Sequence, residues 1–148
     1  MLSFLKVLAS IIGLLVASGT SVLVMDMASV RIENYRTNQA VLPSVVELHI
    51  NVTVSSRAYL FKVVDSNLTL IIKTEDRVLD RDSVIFDLGP GQSKILSFTL
   101  DIPLDVYLQF QAGTVDLFTD VNLSLWMGYQ DYKLISLTLT STIPLERR

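Results

Sequence analysis

The side chains best suited to chemistry in this chain are few, and most stand alone. His49 is the single histidine and there is no cysteine, so two-imidazole metal sites, a blue-copper centre, a thiolate nucleophile and a disulfide framework are all excluded. A hydrolytic triad would have to use His49. It stands on the polar side of an alternating segment beside Glu47 and Asn51, where a solvent-facing imidazole is the expectation. Asp80-x-Asp82 has the opening spacing of a calcium loop, but the glycine and the distal glutamate such a loop requires are missing. Together with Glu75-Asp76-Arg77 these charges read as a solvated hairpin, or as an edge strand protected from pairing with other chains. Gly89-Pro90-Gly91-Gln92 precedes a strand rather than opening a helix, so it is a turn and not a phosphate loop. No catalytic residue, cofactor site or metal site is expected, and the chain does not read as an enzyme.

Two other groups of residues point to contacts rather than catalysis. Asn51, Asn67 and Asn122 each begin an Asn-x-Ser/Thr sequon, and each lies on the polar face of a strand, where a glycan can be carried if the domain faces outward. Trp126, Tyr129 and Tyr132 cluster around Gly128. Aromatic side chains at a hairpin tip can anchor a partner, and they also commonly cover a sheet edge.

The elements that must position these residues announce themselves by a period of two. Val46, Leu48, Ile50, Val52 and Val54 alternate with polar residues, as do Leu68 to Ile72, Leu96 to Ile102 and Val121 to Met127. A last strand runs from Lys133 to Thr142, and shorter candidates lie at Val30 to Tyr35, Tyr59 to Val64 and Ser83 to Leu88. Gly128 to Asp131 joins two strands as a hairpin. Between Pro103 and Gly113, the residues Leu104, Tyr107, Leu108 and Gln111 share a helical face. About seven antiparallel strands with one short helix predict a two-sheet sandwich of the immunoglobulin or fibronectin III kind, occupying residues 45 to 148.

Before it, Val7 to Met25 runs nineteen residues without a charge. As a helix this run spans about 28 Å, close to the roughly 30 Å hydrocarbon thickness of a bilayer. The reading is a single transmembrane signal-anchor over residues 1 to 28, in contact with membrane lipid, followed by a linker and first strand over 29 to 44. A signal peptide cut before Thr20 is the alternative. Ala9, Gly13, Ala17 and Ser21 recur every fourth residue, a small-residue stripe that can pair helices and so make a homo-oligomer.

A net charge of -3 and a sequence pI near 5.0, without a basic cluster before Arg147-Arg148, argue against a nucleic-acid partner. The mean hydropathy of +0.47 reflects the first 25 residues.

From Val45 to Leu145 the order of features resembles the late-embryogenesis-abundant type 2 family, also called the water stress and hypersensitive response (WHy) domain. The likeness rests on ELHINVTV, SSRAYLFKVVDSNLTLII, GPGQSKILSFTLDIPLD, VNLSLWMGYQDYKLISLTL and the closing Ile143-Pro144-Leu145. The family usually has an Asn-Pro-Asn-like turn after its first strand, where this chain has Ser55-Ser56-Arg57. The resemblance implies a non-enzymatic sandwich, often membrane-anchored, with a structural, protective or stress-related role at the cell envelope. It supplies no catalytic residues. The expectation is thus a single-pass cell-membrane protein with its domain outside, binding a protein or glycan partner. The rival is a filament or surface-layer subunit whose apolar helix packs in an assembly core.

Overall fold

The computed structural model describes residues 21 to 147. Residues 21–28 are helical and form α1. Seven strands follow: β1 (Val30–Val41), β2 (Val45–Ser56), β3 (Lys62–Lys73), β4 (Val78–Leu88), β5 (Ser93–Pro103), β6 (Phe118–Tyr129) and β7 (Tyr132–Pro144), with helix α2 (Leu104–Gln111) between β5 and β6. One sheet has the order β1-β2-β5 and the other β4-β3-β6-β7. All pairings are antiparallel.

Period-two patterning buries one face of each sheet. Val46, Leu48, Val52 and Val54 of β2 meet Leu68, Leu70 and Ile72 of β3, with Leu96, Phe98, Leu100 and Ile102 of β5 and Leu125 and Met127 of β6 completing the core. The helices close opposite ends. α2 begins where Pro103 holds φ at -53° and ψ at 136°, with the Leu104 N–H donating to the Ser44 carbonyl at 3.1 Å. It stops at Gly113, whose φ of +81° a residue with a side chain rarely adopts. Arg147 fastens the chain's last described residues there, donating from Nε to the Phe110 carbonyl at 2.6 Å and from Nη2 to Asp116 at 2.6 Å.

At the other end α1 docks by apolar side chains, Leu23 with Val22 and Met27 beside it, and by one charged side chain. Leu23 joins the core, and Asp26, only 3% exposed, accepts the backbone N–H groups of Tyr59, Leu60 and Phe61 at 2.7, 2.9 and 2.8 Å. This corrects the sequence reading of the amino-terminal segment. Among the described residues no helix is long and apolar enough to cross a membrane. In the described end of the apolar run Leu23 faces the sandwich core, whereas Val24 and Met25 are exposed. The transmembrane helix and signal-anchor are therefore not part of the described fold, which is mainly β with the two helices α1 and α2. Residues 7 to 20 of the run, and with them Ala9, Gly13 and Ala17, lie outside the described residues. Ser21 is exposed at the start of α1.

A second correction concerns β3. Only Lys62 to Val64 of the candidate Tyr59 to Val64 is strand, and it is continuous with Leu68 to Ile72 in β3 across a bulge between Val63 and Asn67, while Tyr59 to Phe61 lie in the loop before it. Asp65 has a φ of +43° there, and Ser66 turns inward so that its hydroxyl accepts the Trp126 N–H at 2.9 Å. The extra residues restore the phase of the alternation, so a single strand carries both apolar sets.

Candidate functional site

Where the charged residues lie decides most of the candidate chemistry. Asp80 and Asp82 do not converge on a point. Their Oδ2 atoms accept the Asp101 and Thr99 N–H groups of β5 at 2.7 and 2.9 Å, and their Oδ1 atoms accept the N–H groups of Arg81 and Ser83. These carboxylates seal the flank between β4 and β5 by satisfying an otherwise unpaired strand edge. His49 is half-buried on the outer face of β2, with Nε2 3.1 Å from Glu47 and Nδ1 3.4 Å from the Thr99 hydroxyl. No nucleophile with an activating arrangement stands beside it.

A cleft of about 390 Å³ opens at the α2 end, lined by Thr74, Glu75, Asp76, Arg77, Thr114 and Asp116 among others. Its threonine hydroxyls are committed to the backbone, Thr74 Oγ1 donating to the Arg77 carbonyl and Thr114 Oγ1 to the Gln109 carbonyl. Asp116 is held by Arg147. Among the described residues no group of three or more acidic or histidine side chains is placed to hold a metal ion.

The most coherent surface is the outer face of the four-stranded sheet. The register places Ser83, Thr69, Asn122 and Thr140 in one row across β4, β3, β6 and β7, and Ile85, Asn67, Ser124 and Thr138 in the next. Columns are about 4.8 Å apart and same-face residues along a strand about 7 Å, so this is a regular lattice of hydroxyls and amides. Thr69 and Ser83 hydroxyls bond each other at 2.8 Å. The carbonyl oxygens of Asn67 and Asn122 are buried without any hydrogen-bond partner, a costly state that native proteins seldom tolerate without reason.

One end of the lattice is closed by Asp120, which accepts from Lys73 at 2.8 Å and from Thr142 at 2.6 Å. Those two hydrogen bonds hold its carboxyl below the ordinary carboxylate value. At the other end stands Trp126, opposite Ser136. Lys133 lies over its indole, 5.4 Å from the ring centroid, and 3.4 Å from Asp65.

The sequence reading treated Trp126, Tyr129 and Tyr132 as one cluster, and the structure divides it. Trp126 belongs to the outer lattice, whereas Tyr129 packs edge-on against Phe61 with ring centroids 6.3 Å apart. Tyr132, opposite Tyr129 at the hairpin, is 72% exposed. A register shift between Met127 and Gly128 makes the division. A Cβ at Gly128 would collide with the Tyr132 carbonyl oxygen. Gly128→Ala is therefore expected to cost about 2 kcal/mol by forcing the hairpin apart, read as a lowered urea midpoint with altered tryptophan emission. An unchanged midpoint and spectrum would show that the hairpin accommodates the methyl group.

The sequons separate likewise. Asn67 and Asn122 are near neighbours within the lattice, on β3 and β6. Asn51 is alone on the other sheet's outer face, accepting a hydrogen bond from Ser97 at 2.9 Å. The lattice itself was not legible in the sequence, although the Ser/Thr-rich polar phase of β7, Ser136 to Thr142, was its available signal.

No protein-family model matches the chain, and no curated protein matches it. Among solved structures it is similar to a protein from Archaeoglobus fulgidus, with a TM-score of 0.44 and 12% identity over 78% of this chain and 98% of that one. A putative beta-galactosidase from Bacteroides fragilis aligns at a TM-score of 0.46 and 13% identity, over 72% of this chain and 15% of that one. A beta-glucuronidase of glycoside hydrolase family 2 aligns at 0.43 and 8%, over 72% and 11%. At these values none of the three bears on what this chain does.

Proposed function

We propose that this chain is a non-enzymatic β-sandwich binding module with a structural or protective role, and that its partner is a neutral glycan held on the outer face of the four-stranded sheet. The observation that carries this reading is the lattice of hydroxyls and amides across β4, β3, β6 and β7 that ends in Trp126. A saccharide offers many hydroxyl donors and acceptors at close spacing, and its apolar ring face stacks on indole. Neither partner needs charge, which suits a lattice whose two middle rows carry none. The resemblance to the type 2 late-embryogenesis-abundant family agrees with a role without catalysis.

Isothermal titration calorimetry with cellopentaose, maltopentaose and chitopentaose tests the reading. Binding of at least one is expected, weakened about tenfold by Trp126→Ala, a change of about 1.4 kcal/mol. Absence of heat with all three, or equal affinity of the variant, would exclude the glycan role.

A further inference from the structure

The two flanks of the sandwich are finished differently. Between β4 and β5 the carboxylates of Asp80 and Asp82 cap the strand edge. On the opposite flank, β7 is thirteen residues long and, among the described residues, hydrogen-bonds within the sheet only to β6. Its stretch Leu134 to Leu145 contains no charge. A long, uncharged, unprotected edge is an invitation to pair with another strand, and native proteins normally block it. Among the described residues one flank is capped in this way, and the other carries no such device before Pro144 at the end of β7.

We propose that β7 is a dimerisation edge that pairs antiparallel with β7 of a second copy of this chain, about a two-fold axis through Leu139. The occupant is a copy of the same strand because β7 is self-complementary. Residues directly opposite in an antiparallel pair project to the same face. Any two-fold through a residue of β7 therefore sets its inward-facing set, Ile135, Leu137, Leu139 and Ile143, on the same side as the partner's.

Ile135 is partly buried against the core, but Leu139 is 52% and Ile143 53% exposed, although both lie on the side of β7 that faces the core. The axis through Leu139 sets Leu139 against the partner's Leu139 and Ile135 against the partner's Ile143. Charge selects the same register, since Lys133 at each end then falls beside the partner's Glu146 and no like charges meet. Ser136, Thr138, Thr140 and Thr142 continue the outer lattice without interruption into an eight-stranded face. A single added strand buries less than the about 800 Å² per partner of a standard interface, so the dimer forms in roughly the micromolar range.

The absence of native cysteine gives a direct test in the full-length chain. Opposite Cα atoms of an antiparallel pair lie about 4.5 to 5.5 Å apart, within disulfide reach. Leu139→Cys is expected to form a covalent dimer under mild oxidation. Ile143→Cys is expected to stay uncrosslinked, its own copy being displaced by eight residues, about 27 Å along the strand. In sedimentation velocity, wild type is expected to dimerise with concentration, and Leu139→Lys to weaken association about a hundredfold with unchanged circular dichroism. A Leu139→Cys chain that remains monomeric on oxidation overturns the proposal. So does equal crosslinking at Ile143→Cys, or a dimer that persists in a folded Leu139→Lys chain and is therefore held elsewhere.

Discussion

Asp26→Ala is expected to lower the free energy of unfolding by about 3 kcal/mol and to release α1 from the sandwich. One carboxylate satisfies three consecutive backbone N–H groups in the loop between β2 and β3. Hydrogen bonds to a charged acceptor contribute about 1.5 to 3 kcal/mol each, though not additively, and alanine would leave partly buried donors unpaired. Ser29 reinforces the same turn, its hydroxyl donating to the Asp26 carbonyl at 2.6 Å.

The same carboxylate makes the docking acid-sensitive. Burial by itself raises the Asp26 pKa, but the hydrogen bonds from Phe61, Tyr59 and Leu60 together outweigh it, and the folded value lies below the ordinary one. Because the folded value is depressed, its stabilisation is complete above the unfolded carboxyl pKa of about 3.9 and is lost as pH falls through the folded value. Urea unfolding at neutral and at strongly acid pH should show the gap between wild type and Asp26→Ala closing in acid. A gap that stayed constant with pH would assign the loss to packing around Leu23 instead.

Phe98→Ala is the other large effect, about 4 kcal/mol. Phe98 is 1% exposed at the centre of β5 and is the largest of the fully buried side chains. Its removal deletes an aromatic ring's worth of contacts between the sheets, and β5 cannot shift by itself to fill the space, since it is held in register with β2 over eleven residue pairs. Differential scanning calorimetry is the direct measurement. A melting temperature within a few degrees of wild type would mean that the sheets close over the cavity. The two losses differ in kind, since only that of Asp26→Ala depends on pH.

The strands were legible because period-two patterning is local: Val46 to Val54 and Leu96 to Ile102 alternate whatever lies opposite them. α2 was legible for the same reason, with Pro103 and Gly113 marking its ends. The bulge in β3 was hidden, because the inward turn of Ser66 has meaning only once Trp126 of a strand sixty residues away presents its N–H. Asp26 was equally hidden. At the end of an apolar run a carboxylate reads as a boundary with water, and nothing nearby in sequence tells that residues 59 to 61 will enclose it. Hydropathy sums over a window and is blind to a core supplied by distant strands, so the sequence reading assigned to lipid the turns that hold Leu23 against the sandwich.

By itself, then, the amino-acid sequence determined a mainly β chain, the places where it turns, and the lack of thiol or paired-imidazole chemistry, all of which depend on residue type and near-neighbour spacing. The tertiary structure alone decided which polar residues share a surface. Asn67 and Asn122 are fifty-five positions apart and become neighbours only through the register of β3 with β6. The difference between the sealed β4 and β5 flank and the bare edge of β7 was decided there too, because a strand edge exists only after sheet order has chosen which strands lack a partner.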